Sequence, residues 1–124
     1  MAPWFVLSLL ACRSDVDVNE NLFPPELLCV HPAEDGLLAA GAPVRLEVAA
    51  AWRSGPLEDL GWDFVSDVDG PLPGSLEIFP DGSVAYALAG GVLREGAHTL
   101  TVTASHARAG AGEASVVATV IPNL

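Results

Sequence analysis

Apolar and polar positions alternate with period two in several short runs between residues 43 and 120. In Pro43–Ala49, the residues Val44, Leu46 and Val48 fall on one side of an extended backbone and Arg45 and Glu47 on the other. Leu60, Trp62 and Phe64 alternate with Gly61, Asp63 and Val65, and Val84, Tyr86 and Leu88 repeat the pattern. In AHTLTVTAS, the residues His98, Leu100, Val102 and Ala104 share a face opposite Thr99, Thr101 and Thr103. Glu26–His31 reads as a first strand, Ser75–Phe79 as a short one, and Val116, Ala118 and Val120 define the last. Pro32, Glu34-Asp35-Gly36 and Pro80-Asp81-Gly82 supply the breaks. The stretch AEDGLLAAG has room for a helical turn but is short and bounded by glycine. About seven short strands with turns between them predict an all-β, two-sheet sandwich. Trp62, Phe64, Tyr86, His98, Leu100 and Val102 are its expected core residues.

Composition narrows the function classes. A chain of 124 residues suits one domain. With 51% hydrophobic and 17% charged residues, it has enough apolar surface to form a core. The formal charge of −11, with no lysine and five scattered arginines, argues against nucleic acid, whose phosphates need clustered cations. The same charge repels anionic lipid, so attachment to a membrane has to come from something other than a basic patch.

Trp4–Ala11 is apolar except for Ser8. Eight residues are too few to cross a hydrocarbon core of about 30 Å as a helix, but they suit the apolar segment of a secretory signal. The run ends Leu9-Leu10-Ala11-Cys12, which resembles a bacterial lipobox. The resemblance implies cleavage between Ala11 and Cys12, and a lipid on the Cys12 sulfur. Two or more acyl chains anchor stably, and this attachment does not depend on surface charge. Arg13–Pro25, RSDVDVNENLFPP, is acidic and aperiodic and ends in two prolines, as a tether does. The expected organisation is a signal peptide over 1–11, lipidated Cys12 and tether over 12–25, and the sandwich over 26–122. The expected location is the bacterial cell envelope, anchored by lipid to the outer membrane. If Cys12 is acylated, Cys29 is a free thiol; if it is not, a Cys12–Cys29 bridge is open to the chain.

Within the body, Leu93–Thr103, LREGAHTLTVT, is similar to the penultimate strand of PKD-like and related bacterial Ig-like modules. PAEDGLLAAGAPVRL and GWDFVSDVDGPL extend the resemblance over most of residues 24–122. It implies an Ig-like sandwich in which Trp62 and Phe64 occupy the place of the buried strand-C aromatic. It also implies that His98 makes the corner contact with the loop upstream of its own strand.

Candidate chemistry is sparse. Asp67 and Asp69, alternating in a loop before Gly70, are a candidate calcium pair, with Ser66, Glu58 and Asp59 as further oxygen donors, although calcium asks for six to eight oxygens. His31, His98 and His106 fall on separate strands, and only Cys29 and His31 are spaced as neighbouring ligands, too few for a structural zinc site. No nucleophile elbow, phosphate loop or dinucleotide fingerprint is present, so a non-enzymatic role is expected. The module is expected to present a surface to an envelope protein or a polysaccharide. The alternatives are a structural spacer or accessory subunit of an envelope complex, and a calcium-dependent module.

Overall fold

The computed structural model describes residues 22–122. The expected signal segment, the Ala11–Cys12 cleavage point and the Cys12 lipidation site lie outside the described residues. The strands are β1 Glu26–His31, β2 Gly36–Ala39, β3 Val44–Ala51, β4 Gly61–Ser66, β5 Gly70–Pro71, β6 Ser75–Ile78, β7 Ser83–Leu88, β8 Gly96–His106 and β9 Gly110–Ile121, with one 3-10 turn at Leu57–Asp59. They form two sheets, one ordered β1-β3-β7-β6 and the other β2-β9-β8-β4-β5. Among the described residues no helix is long and apolar enough to cross a membrane.

The period-two pattern sets which face each strand buries. Val44, Leu46 and Val48 on β3 and Val84 and Leu88 on β7 meet Phe64, Leu100, Val102, Val116, Ala118 and Val120 of the facing sheet. Two strands go beyond the expected seven, β2 and β5, and both lie where the alternation is silent. In Gly36-Leu37-Leu38-Ala39 neighbouring residues are equally apolar, yet the segment is extended, with Leu38 buried and Leu37 exposed. The chain leaves the first sheet at Pro32, which has no amide to give to a ladder. It then turns at Ala33–Gly36, where the Gly36 amide donates to the Ala33 carbonyl at 2.9 Å. The Asp35 amide donates to the Val117 carbonyl at 2.7 Å, and from there β2 runs parallel to β9, Gly36 opposite Ala118 and Ala39 opposite Ile121.

An aromatic stack joins the sheets. The ring of Phe64, 4% exposed, lies against that of Tyr86 on the opposing sheet, with centroids 4.0 Å apart and planes 7° from parallel. The Tyr86 hydroxyl donates to the Leu72 carbonyl at 2.7 Å. Beside it the chain passes so closely that a Cβ on Gly74 would stand 2.5 Å from the Ala87 carbonyl oxygen and 2.7 Å from the Tyr86 ring. Trp62 stacks behind Phe64 at 6.4 Å and is half-buried, with its indole N–H aimed at the Leu57 carbonyl at 3.4 Å. It therefore borders the core while Phe64 fills it. Phe64→Ala removes one half of the inter-sheet stack and should lower stability by about 3–5 kcal/mol in urea unfolding. Trp62→Ala, at the margin, should cost less.

Candidate functional site

At the distal end of the sandwich, where β4 runs out and β8 begins, two polar side chains occupy inward positions on otherwise apolar faces. Ser66 follows Trp62 and Phe64, and His98 precedes Leu100 and Val102; each is 1% exposed. A buried polar group without a partner is costly, and the two bond to each other, Ser66 Oγ to His98 Nδ1 at 2.7 Å. The other ring nitrogen, Nε2, is 2.6 Å from the carbonyl of Arg94. A carbonyl only accepts, so Nε2 carries the hydrogen and Nδ1 is the acceptor. Ser66 Oγ therefore donates to His98 and receives the amides of Val68 and Asp69 at 3.1 and 3.2 Å. The imidazole bonds back to the backbone a few residues upstream, as the tyrosine of an immunoglobulin corner does.

The serine and histidine approach as a nucleophile and its base would, but the surroundings differ. Asp69 Oδ2 lies 3.8 Å from Nδ1, the nitrogen already bonded to Ser66, whereas a triad places its acid on the opposite nitrogen. The serine oxygen is sealed from solvent and accepts two amides. The set is a polar junction that closes the β4–β5 loop onto the loop before β8.

Asp67 and Asp69 are both bound to protein donors. Asp67 Oδ1 accepts the Thr99 amide at 2.8 Å, and the Asp67 amide donates to the Thr99 carbonyl at 3.1 Å. Asp69 accepts the Arg94 amide at 3.2 Å and the Arg94 Nε at 2.7 Å, one on each carboxylate oxygen. Partial burial pushes the Asp69 pKa upward. The amide and guanidinium of Arg94, with the nearby His98 ring, outweigh that and hold it below the usual carboxylate value. Among the described residues no three His, Cys, Asp or Glu side chains gather as a metal group. His31 is exposed at the end of β1, separated from Cys29 by an irregularity in the β1–β3 register. The Cys29 thiol, partly buried and near Glu34, is pushed upward in pKa first by desolvation and then by that negative charge. His106 sits at the opposite end from His98, its ring tilted against Trp52 at 5.2 Å.

That proximal end holds the incoming chain. The Phe23 amide donates to Ser54 Oγ and the Trp52 indole donates to the Phe23 carbonyl, both at 2.7 Å, while the Arg53 guanidinium lies 4.3 Å over the Phe23 ring. A Cβ on Gly112 would overlap the carbonyl oxygen of Pro25, so glycine is required there. Phe23–Pro25, the last part of the expected tether, are thus docked against the sandwich. From Gly112, strand β9 runs nine steps, about 30 Å, to Ile121, whose carbonyl accepts the Ala40 amide at 2.9 Å. The chain enters the sandwich at one end and leaves it at the other.

The architecture defines an immunoglobulin- and fibronectin-III-like β-sandwich, and solved structures carry the same fold. The fibronectin(III)-like modules of Clostridium thermocellum CbhA align with a TM-score of 0.61 and 18% identity over 91% of this chain and 51% of that one. An endo-β-1,4-mannanase from Thermotoga petrophila aligns with a TM-score of 0.62 and 15% identity. That match covers 86% of this chain but only 22% of the mannanase. The titin M3 domain aligns with a TM-score of 0.52 and 15% identity over 76% of this chain and 95% of that one. At such identities the likeness is one of fold alone. No protein-family model matches the chain, and no curated protein is significantly similar to it.

Arg94 was not among the expected site residues, and Ser66 was expected only as a further oxygen beside the Asp67 and Asp69 pair. The signal for Ser66 was present as a polar residue at an inward position of β4, which requires a buried partner, and His98 is the matching exception on β8. Arg94 contributes its backbone carbonyl to His98 and its amide and guanidinium to Asp69, and an arginine in a turn gives no sequence sign of either pairing. Ser66→Ala would strand the Val68 and Asp69 amides and His98 Nδ1. Chemical denaturation should show a loss of about 1–3 kcal/mol for each group left unpaired. A second expectation concerns pH. Because the Asp69 carboxyl titrates lower in the folded chain than its unfolded value of about 3.9, its contribution is full above that value. The contribution is lost as pH falls through the lower, folded-state pKa. Thermal melts should therefore show a shallower decline below about pH 4 in Asp69→Asn than in the parent.

Proposed function

We propose that the chain is a non-enzymatic, lipid-anchored module of a bacterial cell envelope that presents its Ig-like sandwich for binding or adhesion to a protein or polysaccharide. The observation that carries this reading is the run Trp4–Ala11 ending in Leu9-Leu10-Ala11-Cys12, followed within a few residues by an acidic segment and then a sandwich. On this reading residues 1–11 are the signal, the chain is cut between Ala11 and Cys12, and Cys12 carries the acyl chains, in the outer membrane. The docking of Phe23–Pro25 supports it, because it directs the proximal end of the sandwich toward the anchor. Cys29 then remains a thiol. A second reading, a structural spacer or accessory subunit, is favoured by one specific feature: the points at which the chain enters and leaves the sandwich lie at opposite ends. The third reading, a calcium-dependent module, has less support, since both loop carboxylates are satisfied by Thr99 and Arg94.

The intact mass of the protein extracted from membranes tests the anchor. The expected result is a chain starting at Cys12 and heavier by two or three acyl groups, with the modification and the membrane fraction both lost in Cys12→Ala. An unmodified mass would overturn the anchor and reopen a Cys12–Cys29 bridge.

A further inference from the structure

The outward face of the four-stranded sheet takes no part in the contacts described so far. β1 presents Leu28, 67% exposed, and Val30, 52% exposed. Beside them β3 presents Ala49 and Ala51 and β7 presents Ala87, while Ala85, on the same side of β7, is only 4% exposed. A sheet face open to water ordinarily carries polar side chains, and the opposite face of this molecule does, with Thr99, Thr101, Thr103 and Ser115. Here an aliphatic stretch runs over Leu28, Val30, Ala49 and Ala51, with the charged residues Arg45 and Glu47 beside it, and the surface is hollowed. Val30 forms one wall of a groove of about 500 Å³, Phe79 and Pro80 form the other, and Ala49, Ser83 and Ala85 are its floor. The depression continues over Leu28 and Ala51. From Arg45 to Ala51 is six steps of strand, about 20 Å, the length of a six-residue extended segment.

Charge selects the occupant. Glu26, Glu47, Glu77 and Asp81 stand around this face. Arg45, the cation among the described residues that line the groove, is bonded to Glu47 at 2.9 Å and lies over the Phe79 ring at 5.7 Å. The Asp81 carboxyl is kept below its usual pKa by hydrogen bonds from Ser83, so it stays ionised. Two copies of this face repel each other, and an anionic lipid surface is repelled too. A sugar ring would stack on an open aromatic plane, but Arg45 covers Phe79. We infer that this face docks an extended segment of a partner protein, aliphatic at its centre and carrying Lys or Arg at its ends. The inference rests on the reading of the chain as a binding module and names the seat and chemistry of that binding.

The probe is a fluorescent hexapeptide of valine and leucine with a lysine at each end, titrated into the full chain and followed by anisotropy. Saturable binding is expected. It should weaken at least about tenfold with glutamate in place of the peptide lysines, and by a similar factor in Ala49→Arg, which fills the floor and offsets part of the negative charge around it. Thr103→Arg, on the opposite sheet, should leave it unchanged. Absence of binding, equal binding of the acidic-ended peptide, or indifference to Ala49→Arg would overturn the assignment. The reading it rests on is tested separately. Loss of the Cys12 lipid would remove the anchor without altering this titration. A stable envelope complex whose capture is unmoved by Ala49→Arg would keep the binding module and overturn this face as its seat.

Discussion

The stack of Phe64 on Tyr86 sets the spacing on which the sandwich depends. Two aromatic planes at 4.0 Å leave no freedom in how far apart β4 and β7 lie at that point. The rest of the crossing is built around it. The hydroxyl end of Tyr86 reaches the Leu72 carbonyl on the segment that carries the chain from one sheet to the other, and Gly74 gives that segment room to pass. The aliphatic residues of the two facing sheets fill the rest of the core, where dispersion contacts add to the gain from burial.

Where the apolar filling ends, the sandwich is closed by polar groups that have no access to water. His98 and Ser66 use every donor and acceptor they own on the ends of β4 and β8, so the loops there are held by directional bonds rather than by burial. An imidazole suits this place, because its two nitrogens sit on different edges of a flat ring and each meets a partner from a different loop.

The fold was legible wherever residues alternate, because period two assigns each side chain to the core or to water without reference to neighbours. β3, β4, β7, β8 and β9 are of this kind. β2 was hidden because Leu37, Leu38, Ala39 and Ala40 have no alternation to read, and its pairing with β9 is a parallel contact between the extremes of the domain. β5, at Gly70–Pro71, is two residues long and has no pattern at all. Of the candidate site, His98 was visible from its resemblance to a corner residue. The partners of Asp67 and Asp69 were not visible, because a carboxylate that accepts Thr99 and Arg94 donors looks in sequence like one waiting for a cation. The aliphatic sheet face was equally hidden, since Leu28 and Val30 read as ordinary members of a strand with Leu27 and Cys29 on its inner side.

The parallel pairing of β2 with β9 has a mechanical meaning. Tension applied between Phe23, where the chain is first gripped, and Ile121, where it departs, runs along the strands rather than across them. β2 follows directly from β1 and is bonded to the last strand through the register from Gly36–Ala118 to Ala39–Ile121. Pulling the ends apart slides these two strands past one another and strains the whole ladder at once. A hairpin opened at its tip would give way one bond at a time. The same topology that hid β2 from the sequence makes it a clasp loaded in shear.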